Sequence, residues 1–526
     1  MPRTPRVFKS IEFILFAVVF ASYAYFYPGA GHNEAARFDS IRAVLDEHRL
    51  IVDTFSYNSA DLIRVNDHYY SSKAPGLSML GLPAFAVLDF VSRPLPITPE
   101  LRYHLICYLT GVFTVGLLSA LMCVLIFRYL KMSWAATEMQ AVLVALSISL
   151  GTIVFPFSTI FFSHVVAASL GFLGFCLVEK ISIQSRARAL TSVLAAGFIL
   201  GFNVCVEYPA AIITAFVGCY AAIRFYQIKR PQWIVLFGLS LILGLMFLPI
   251  YNKVSFGDPF FLSYEAYKSA TNTTFKAQSV GLFGVRYDFL NLGFLKLFFA
   301  NLVRITVLPL RGLFYLNPIL LLVPAGFFYA FRSRARLDAQ GVKADILLSL
   351  AIFVSFLGMN AAYGDSIVYW GGGASFGPRH VIPALPFLCV PLLFALRQIK
   401  TTFVFPVLAF ISAFYCLMAA SIEPRSPYSP DNLIFEFYLP RFANGLFSIT
   451  HDGVFSDRPV VDGSVGFNIG KLMHLPGHLE LIPLFIIWIL AARAIEKRTA
   501  SRSFLSAVIL FCCGLAFLSA ASLVKL

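Results

Sequence analysis

The chain has 526 residues, 59% of them hydrophobic and only 13% charged, with 55 Phe. Soluble domains carry roughly a quarter charged residues, so this balance excludes a soluble globular protein, and the short alternating strands of a porin-like barrel are not evident. The formal charge of +14 does not point to nucleic acid, because the Lys and Arg cluster in short segments between apolar runs, which is the positive-inside pattern.

Residues 1–10 are basic, and Ile11–Tyr27 is apolar apart from Glu12, a layout resembling a signal peptide. YFYPGAGH offers no convincing small-residue cleavage site and more spans follow, so the stretch reads as a retained first helix. Next comes Asn33–Gly76, far more polar than its surroundings, with Glu34, Asp39, Asp46, Glu47, Asp53, Asp61 and Asp67 beside Arg37, Arg64, Lys73 and His68. A loop this long and charged, held at a membrane face by apolar flanks, is usually functional. The following run Leu77–Phe90 covers only about 21 Å as a helix, short of a ~30 Å hydrocarbon core, and it contains Pro83.

Runs of spanning length then recur at His104–Phe127, Gln140–Ser158, Phe162–Val178, Leu190–Asn203, Pro209–Ile223 and Ile234–Ile250. They continue at Leu313–Phe331, Ile346–Met359, Ile382–Leu396, Phe403–Ala420, Leu479–Ala492 and Phe504–Leu523. With the first helix they make about thirteen spans on a hydropathy reading. If Leu77–Phe90 lies at the interface without crossing, every short basic connector falls on the amino-terminal, cytoplasmic side. The expected fold is therefore an all-α polytopic membrane protein, a single domain over residues 1–526, with its active face outside the cytoplasmic membrane. Residues 28–103, 251–311, 363–381 and 421–478 form the outer segments, the first carrying interfacial helices. All nine Cys fall within spans or at their edges and read as small apolar residues rather than a disulfide or zinc framework. No Walker A loop and no internal repeat is evident.

Glu34 and Arg37 stand one turn apart and share a face on a short helix opened by Asn33. The carboxylate is a candidate general base oriented by the arginine; the plainer alternative is a surface ion pair with Asn33 as cap. Lys73 in YYSSKAPG (Tyr69–Gly76) sits at the start of the interfacial helix, where an ammonium and a helix amino terminus make a phosphate site, or where a lysine merely snorkels. Tyr70 is taken with it as a substrate contact. Asp53 and Asp61 bracket TFSYNSA; either orients Lys73, binds a sugar hydroxyl, or is a turn residue. Arg311 in LPLRGLFY and Arg379 in FGPRH place guanidinium groups at outer span ends, suited to an anionic head group. Trp370 opens a triple glycine and either stacks on a sugar or anchors at the interface. His474 and His478 are separated by Pro-Gly, which spoils a metal-binding helix face. Asn272-Thr-Thr274 matches a glycosylation acceptor by triplet alone.

With these residues laid out, the chain resembles the glycosyltransferase C superfamily, which includes lipid A aminoarabinose transferases, protein O-mannosyltransferases and bacterial polyprenyl-phosphate-sugar transferases. The resemblance is best in the amino-terminal half. NEAARF (Asn33–Phe38) occupies the place of the family's acidic motif after the first helix, and SSKAPG looks like its lysine-and-proline element. WGGGASFGPRHVIPALPF and LPLRGLFYLNP look like stretches of the bacterial members. Asn33 stands where relatives often have an acid, so either Glu34 serves alone or Asp61 shares its task. The resemblance implies inverting transfer of a sugar from a polyprenyl-phosphate donor to a lipid, glycan or protein acceptor. Glu34 or Asp61 would be the base, and Lys73, Arg379 and Arg311 would steady the departing phosphate. No cofactor is expected; a divalent ion is compatible with that chemistry, but no ligand cluster supports one. Two rivals stand beside it, a flippase for lipid-linked glycan or phospholipid and an oligosaccharide ligase or polymerase. A flippase needs charged residues at mid-span, and the spans hold almost none there.

Overall fold

The computed structural model describes residues 10–263, 292–333, 342–362, 372–399, 403–450, 465–499 and 503–523. Of the described residues 75% are helical and 3% lie in strands, the all-α class that the composition implies. Eight described helices are long and apolar enough to cross a membrane, and six shorter apolar helices accompany them. Of the thirteen expected spans, several are shorter or broken. Gln140–Ser158 divides at Gly151 into Glu138–Leu150 and a four-residue helix, Val154–Phe157, around Pro156. Leu313–Phe331 breaks at Asn317-Pro318, where a 3₁₀ turn intervenes before Leu322–Arg332. His104–Phe127 belongs to a continuous 36-residue helix, Pro99–Trp134. Among the described residues of 251–311 is a further helix, Leu292–Thr306.

One hydrophobic core runs from Ile11 to Leu515. Helix α1 (Ile11–Ala24) starts at Ser10, whose hydroxyl accepts from the Phe13 amide, as an N-cap should. It packs on Leu117–Trp134 and Ile482–Thr499. Beyond it, Phe26–Tyr27 pairs antiparallel with Phe467–Asn468, tying the start of the chain to residues some 440 positions later. At another corner of the core Asp345 is buried, and Tyr129 and Tyr220 donate to it at 2.9 and 2.8 Å. That stitches three helices together with the acid fully engaged.

The polar stretch folds into helix α2 (His32–Glu47), a hairpin and helix α3 (Gly76–Ser92). The N-cap of α2 is Gly31 and not Asn33, because the Glu34 side chain reaches back to the Gly31 amide and closes the helix start two residues earlier. The hairpin pairs Leu62–Val65 with His68–Ser71. Its two turn residues, Asn66 and Asp67, both have positive φ (49° and 65°), the twist that a two-residue hairpin turn requires. Helix α3 begins against the end of Arg186–Val206. A Cβ on Gly76 would lie 2.5 Å from the Cys205 carbonyl carbon and the Val206 nitrogen, so only glycine lets the two backbones meet there.

Candidate functional site

The hairpin register sets the centre of the site. Leu62 pairs with Ser71, and the Ser72 amide donates to the Asp61 carbonyl at 3.0 Å. Asp61 and Lys73 therefore leave the open end side by side. Lys73 Nζ meets Asp61 Oδ2 at 2.9 Å, with 12% and 24% of the two side chains exposed. Burial alone pushes the Asp61 carboxyl up; the Lys73 ammonium outweighs it, with help from His32 and Arg379, and holds the group below the usual carboxylate range. Burial lowers Lys73 from the ordinary lysine range; Asp61 opposes this, and Arg379 and Arg37 reinforce it.

Helix α2 delivers Arg37 to the same place. Its Nε donates to Asn33 Oδ1 (3.1 Å), Nη1 to the Ala74 carbonyl (3.2 Å) and Nη2 to Ser163 Oγ (3.0 Å). Arg37 thus clamps the residue after Lys73, and the expected Glu34–Arg37 pair does not form. Ser163 in turn donates to Glu207, which follows the helix end that Gly76 packs against. Glu207 Oε2 lies 3.5 Å from His164 Nδ1. The His164 ring stands edge-on to His380, centroids 4.9 Å apart. Arg379, next to His380, holds its guanidinium 5.2 Å over the Phe162 ring and donates to the Ala374 carbonyl at 3.4 Å.

Arg311 is only 1% exposed and lies 5.2 Å over the Tyr428 ring. The Tyr428 hydroxyl accepts from the Ala374 amide at 3.1 Å, so Arg311 and the segment leading to Arg379 share a support. Burial disfavours the Arg311 charge; Tyr428 eases this and Arg379 adds to it. Arg379 is the link, its charge acting on Asp61, Lys73, Glu207 and Arg311 alike. Arg37, Lys73, Arg311 and Arg379 bring four formal positive charges against two negative from Asp61 and Glu207. An excess of two buried or half-buried positive charges suits a phosphate.

Glu34 is committed elsewhere. It is 1% exposed; Oε2 accepts from the Gly31 amide and Oε1 from Arg425 Nη1, both at 3.1 Å. Arg425 also grips Glu423 at 2.6 and 2.8 Å and donates to the Pro28 and Gly29 carbonyls. Burial opposes the Arg425 charge, yet Glu34 and Glu423 outweigh it and raise the group further. The same loop holds the turn segment ahead of Arg379, through Phe376 N to Pro424 O (2.9 Å) and Ser426 Oγ to Ser375 O (2.8 Å). The acid of NEAARF thus fastens α2 to the loop that presents Arg379 and His380.

Asp53 is not brought to Lys73. It accepts from the Tyr69 amide (2.6 Å) and meets His68 Nδ1 (2.8 Å), clamping the hairpin. Burial pushes its carboxyl up, and these two partners bring it below its ordinary value. Tyr70 is 6% exposed and packs with Ile63, Tyr251 and Phe256 in a small hydrophobic cluster beneath the hairpin. His478 contacts the Phe442 carbonyl at 2.6 Å, apart from His474, whose φ is +58°. Trp370 and Asn272 lie outside the described residues. Sequence reasoning missed Glu207, His164 and Arg425. The available signal was a lone ionisable residue at the end of an apolar run, which marks function or a buried partner by default.

The architecture is that of a helical membrane protein with a cation-rich polar site walled by the first loop and by the stretch ahead of Arg379–Gln398. No protein-family model and no curated protein matches the sequence. Among solved structures, the fold is shared with ArnT from Cupriavidus metallidurans bound to undecaprenyl phosphate, at TM-score 0.50 and 11% identity, covering 98% of this chain and 76% of that one. ArnT is a glycosyltransferase of the C superfamily, so the resemblance noted in the sequence extends to the fold. Apo ArnT aligns at TM-score 0.46, 11% identity and 98% and 75% coverage. The arabinosyltransferase EmbB from Mycobacterium smegmatis aligns at 0.48 and 12% identity, covering all of this chain but 42% of that one. These two alignments are too loose to carry a shared fold by themselves.

Proposed function

We propose that the chain is an integral-membrane inverting glycosyltransferase. It moves a hexosyl or pentosyl group from a polyprenyl-phosphate donor to a lipid, glycan or protein acceptor at the outer face of the cytoplasmic membrane. The observation that carries this is the excess positive charge gathered around the Asp61–Lys73 pair, which a lipid phosphate compensates. The fold shared with ArnT, a protein solved with undecaprenyl phosphate, supports the lipid class.

Asp61 is the base in this mechanism, because its carboxylate is ionised and a quarter exposed while both Glu34 oxygens are buried and occupied. It takes the proton of the acceptor hydroxyl as that oxygen bonds to the anomeric carbon. The bond from that carbon to the phosphate oxygen breaks on the opposite face, and its electron pair leaves with the polyprenyl phosphate. Charge development at the sugar parallels glycoside hydrolysis. Lys73, Arg379 and Arg311 take up the negative charge growing on the phosphate. Arg37, oriented by Asn33, positions Lys73 through the Ala74 carbonyl.

The test is a transfer assay on the purified full chain in detergent, with polyprenyl-phosphate sugars radiolabelled in the sugar and with membrane lipids and glycans as acceptors. Label moving to an acceptor with release of polyprenyl monophosphate is the expected result. Transfer only from a polyprenyl-pyrophosphate-linked glycan supplied in a parallel reaction, with release of polyprenyl pyrophosphate, makes the chain a ligase or polymerase. Donor binding with no turnover on any acceptor makes it a transporter.

A further inference from the structure

His164, Glu207 and His380 come from three separate parts of the chain. Each offers one ligand atom, and these atoms all lie within 4.8 Å of one another. All three residues are more than nine-tenths buried. We infer that they form a binding site for one first-row divalent cation, zinc being the best match to the donor set.

The chemistry of the set favours it. Two imidazoles and one carboxylate are the ligands of three-coordinate protein zinc sites that keep a fourth position open. Hard ions such as Mg²⁺ and Ca²⁺ prefer all-oxygen cages. Two ~2.1 Å bonds at a tetrahedral angle place ligand atoms roughly 3.4 Å apart, and His164 Nδ1 stands 3.5 Å from Glu207 Oε2. At that separation His164 Nδ1 is buried and makes no hydrogen bond, a costly state for a ring nitrogen that coordination relieves.

The surroundings hold the ligands in place. Glu207 is fixed by Ser163, as a supporting hydrogen bond fixes a metal-bound carboxylate. Gly372, at φ +106°, leaves the room that the His380 ring fills; a Cβ there would lie 2.8 Å from ring carbon Cδ2. A divalent ion on one carboxylate leaves a local charge of +1. With Arg37 on Ser163 and Arg379 beside His380, the open position favours an anion over water. Metal binding itself does not depend on the proposed glycosyl transfer.

The test uses the full chain purified in detergent, stripped with a chelator and reloaded with zinc or cobalt alone. Wild type is expected to retain about one zinc per chain by elemental analysis after exhaustive dialysis. Cobalt is expected to give the visible absorption of a tetrahedral nitrogen–oxygen site, and stripping is expected to lower the melting temperature. His164→Ala and Glu207→Gln should each lose at least ten-fold in zinc affinity, whereas His478→Ala, whose ring contacts the Phe442 carbonyl, should bind like wild type. Less than a tenth of an equivalent in wild type with no cobalt spectrum overturns the inference. So does equal retention in every variant. The wild-type measurements stand even if a variant fails to fold.

Discussion

Replacing Asp61 by Asn and Glu34 by Gln tests the proposal that Asp61 is the catalytic carboxylate and Glu34 a structural one. In Asp61→Asn the amide keeps the shape and can still accept from Lys73, but it cannot take a proton from an acceptor hydroxyl. A positioned general base contributes roughly 10²–10⁴-fold, so kcat for Asp61→Asn is expected to fall by that factor, or about 3–5 kcal/mol of barrier. Asp61→Glu, which restores a carboxylate one methylene further out, should recover part of it. Glu34→Gln is different, because the amide oxygen still accepts from Arg425 and that guanidinium retains Glu423 at 2.6 and 2.8 Å. Losing the charge from one buried hydrogen bond costs about 1.5–3 kcal/mol of stability. The melting temperature should drop while kcat per folded molecule stays within roughly ten-fold. The assay is sugar transfer from polyprenyl phosphate, normalised to monodisperse protein, beside a thermal melt of each variant. A hundred-fold loss in Glu34→Gln at an unchanged melting temperature, with Asp61→Asn fully active, would refute the assignment and place the base at Glu34.

Three further outcomes follow from the same geometry. Arg425→Met leaves Glu34 and Glu423 buried without their cation, which should cost about 3–5 kcal/mol, visible as a large fall in melting temperature; adding E34Q and E423Q should recover part of it. Gly76→Ala forces apart two backbones that now meet at 2.5 Å from the would-be Cβ, so a loss of about 1–3 kcal/mol should accompany reduced transfer as Lys73 and Glu207 move out of register. Burial lowers Lys73 from the ordinary lysine range, so its ammonium is lost as pH rises through a folded-state value below the usual one. The affinity for donor phosphate should weaken on the alkaline side earlier than a free lysine would dictate, and Lys73→Arg should move that limb to higher pH.

What the sequence disclosed and what it hid follow from how each feature is encoded. Apolar helix content and the lysine before α3 are local properties of a few adjacent residues, and a reading of the chain finds them. Asp61 and Lys73 were both visible as candidates, but their pairing needed the hairpin, whose signal is one Asn-Asp turn inside a polar stretch. The role of Glu34 was hidden for a stronger reason. Its partner Arg425 is 391 positions away, and an acid one turn before an arginine looks the same whether it faces that arginine or a distant one. The two helix-face geometries differ by small rotations, and the buried Arg425, held by two carboxylates and two carbonyls, selects between them. His164, Glu207 and His380 were hidden in the same way, since each is alone in its own segment and meets the others only through packing at Gly76 and Gly372. Where NEAARF looks catalytic, Glu34 is thus a buried partner of Arg425, whose loop holds the segment ahead of Arg379–His380 near α2. In the proposed mechanism the acid that reacts is the one that the hairpin, rather than the first helix, sets beside Lys73.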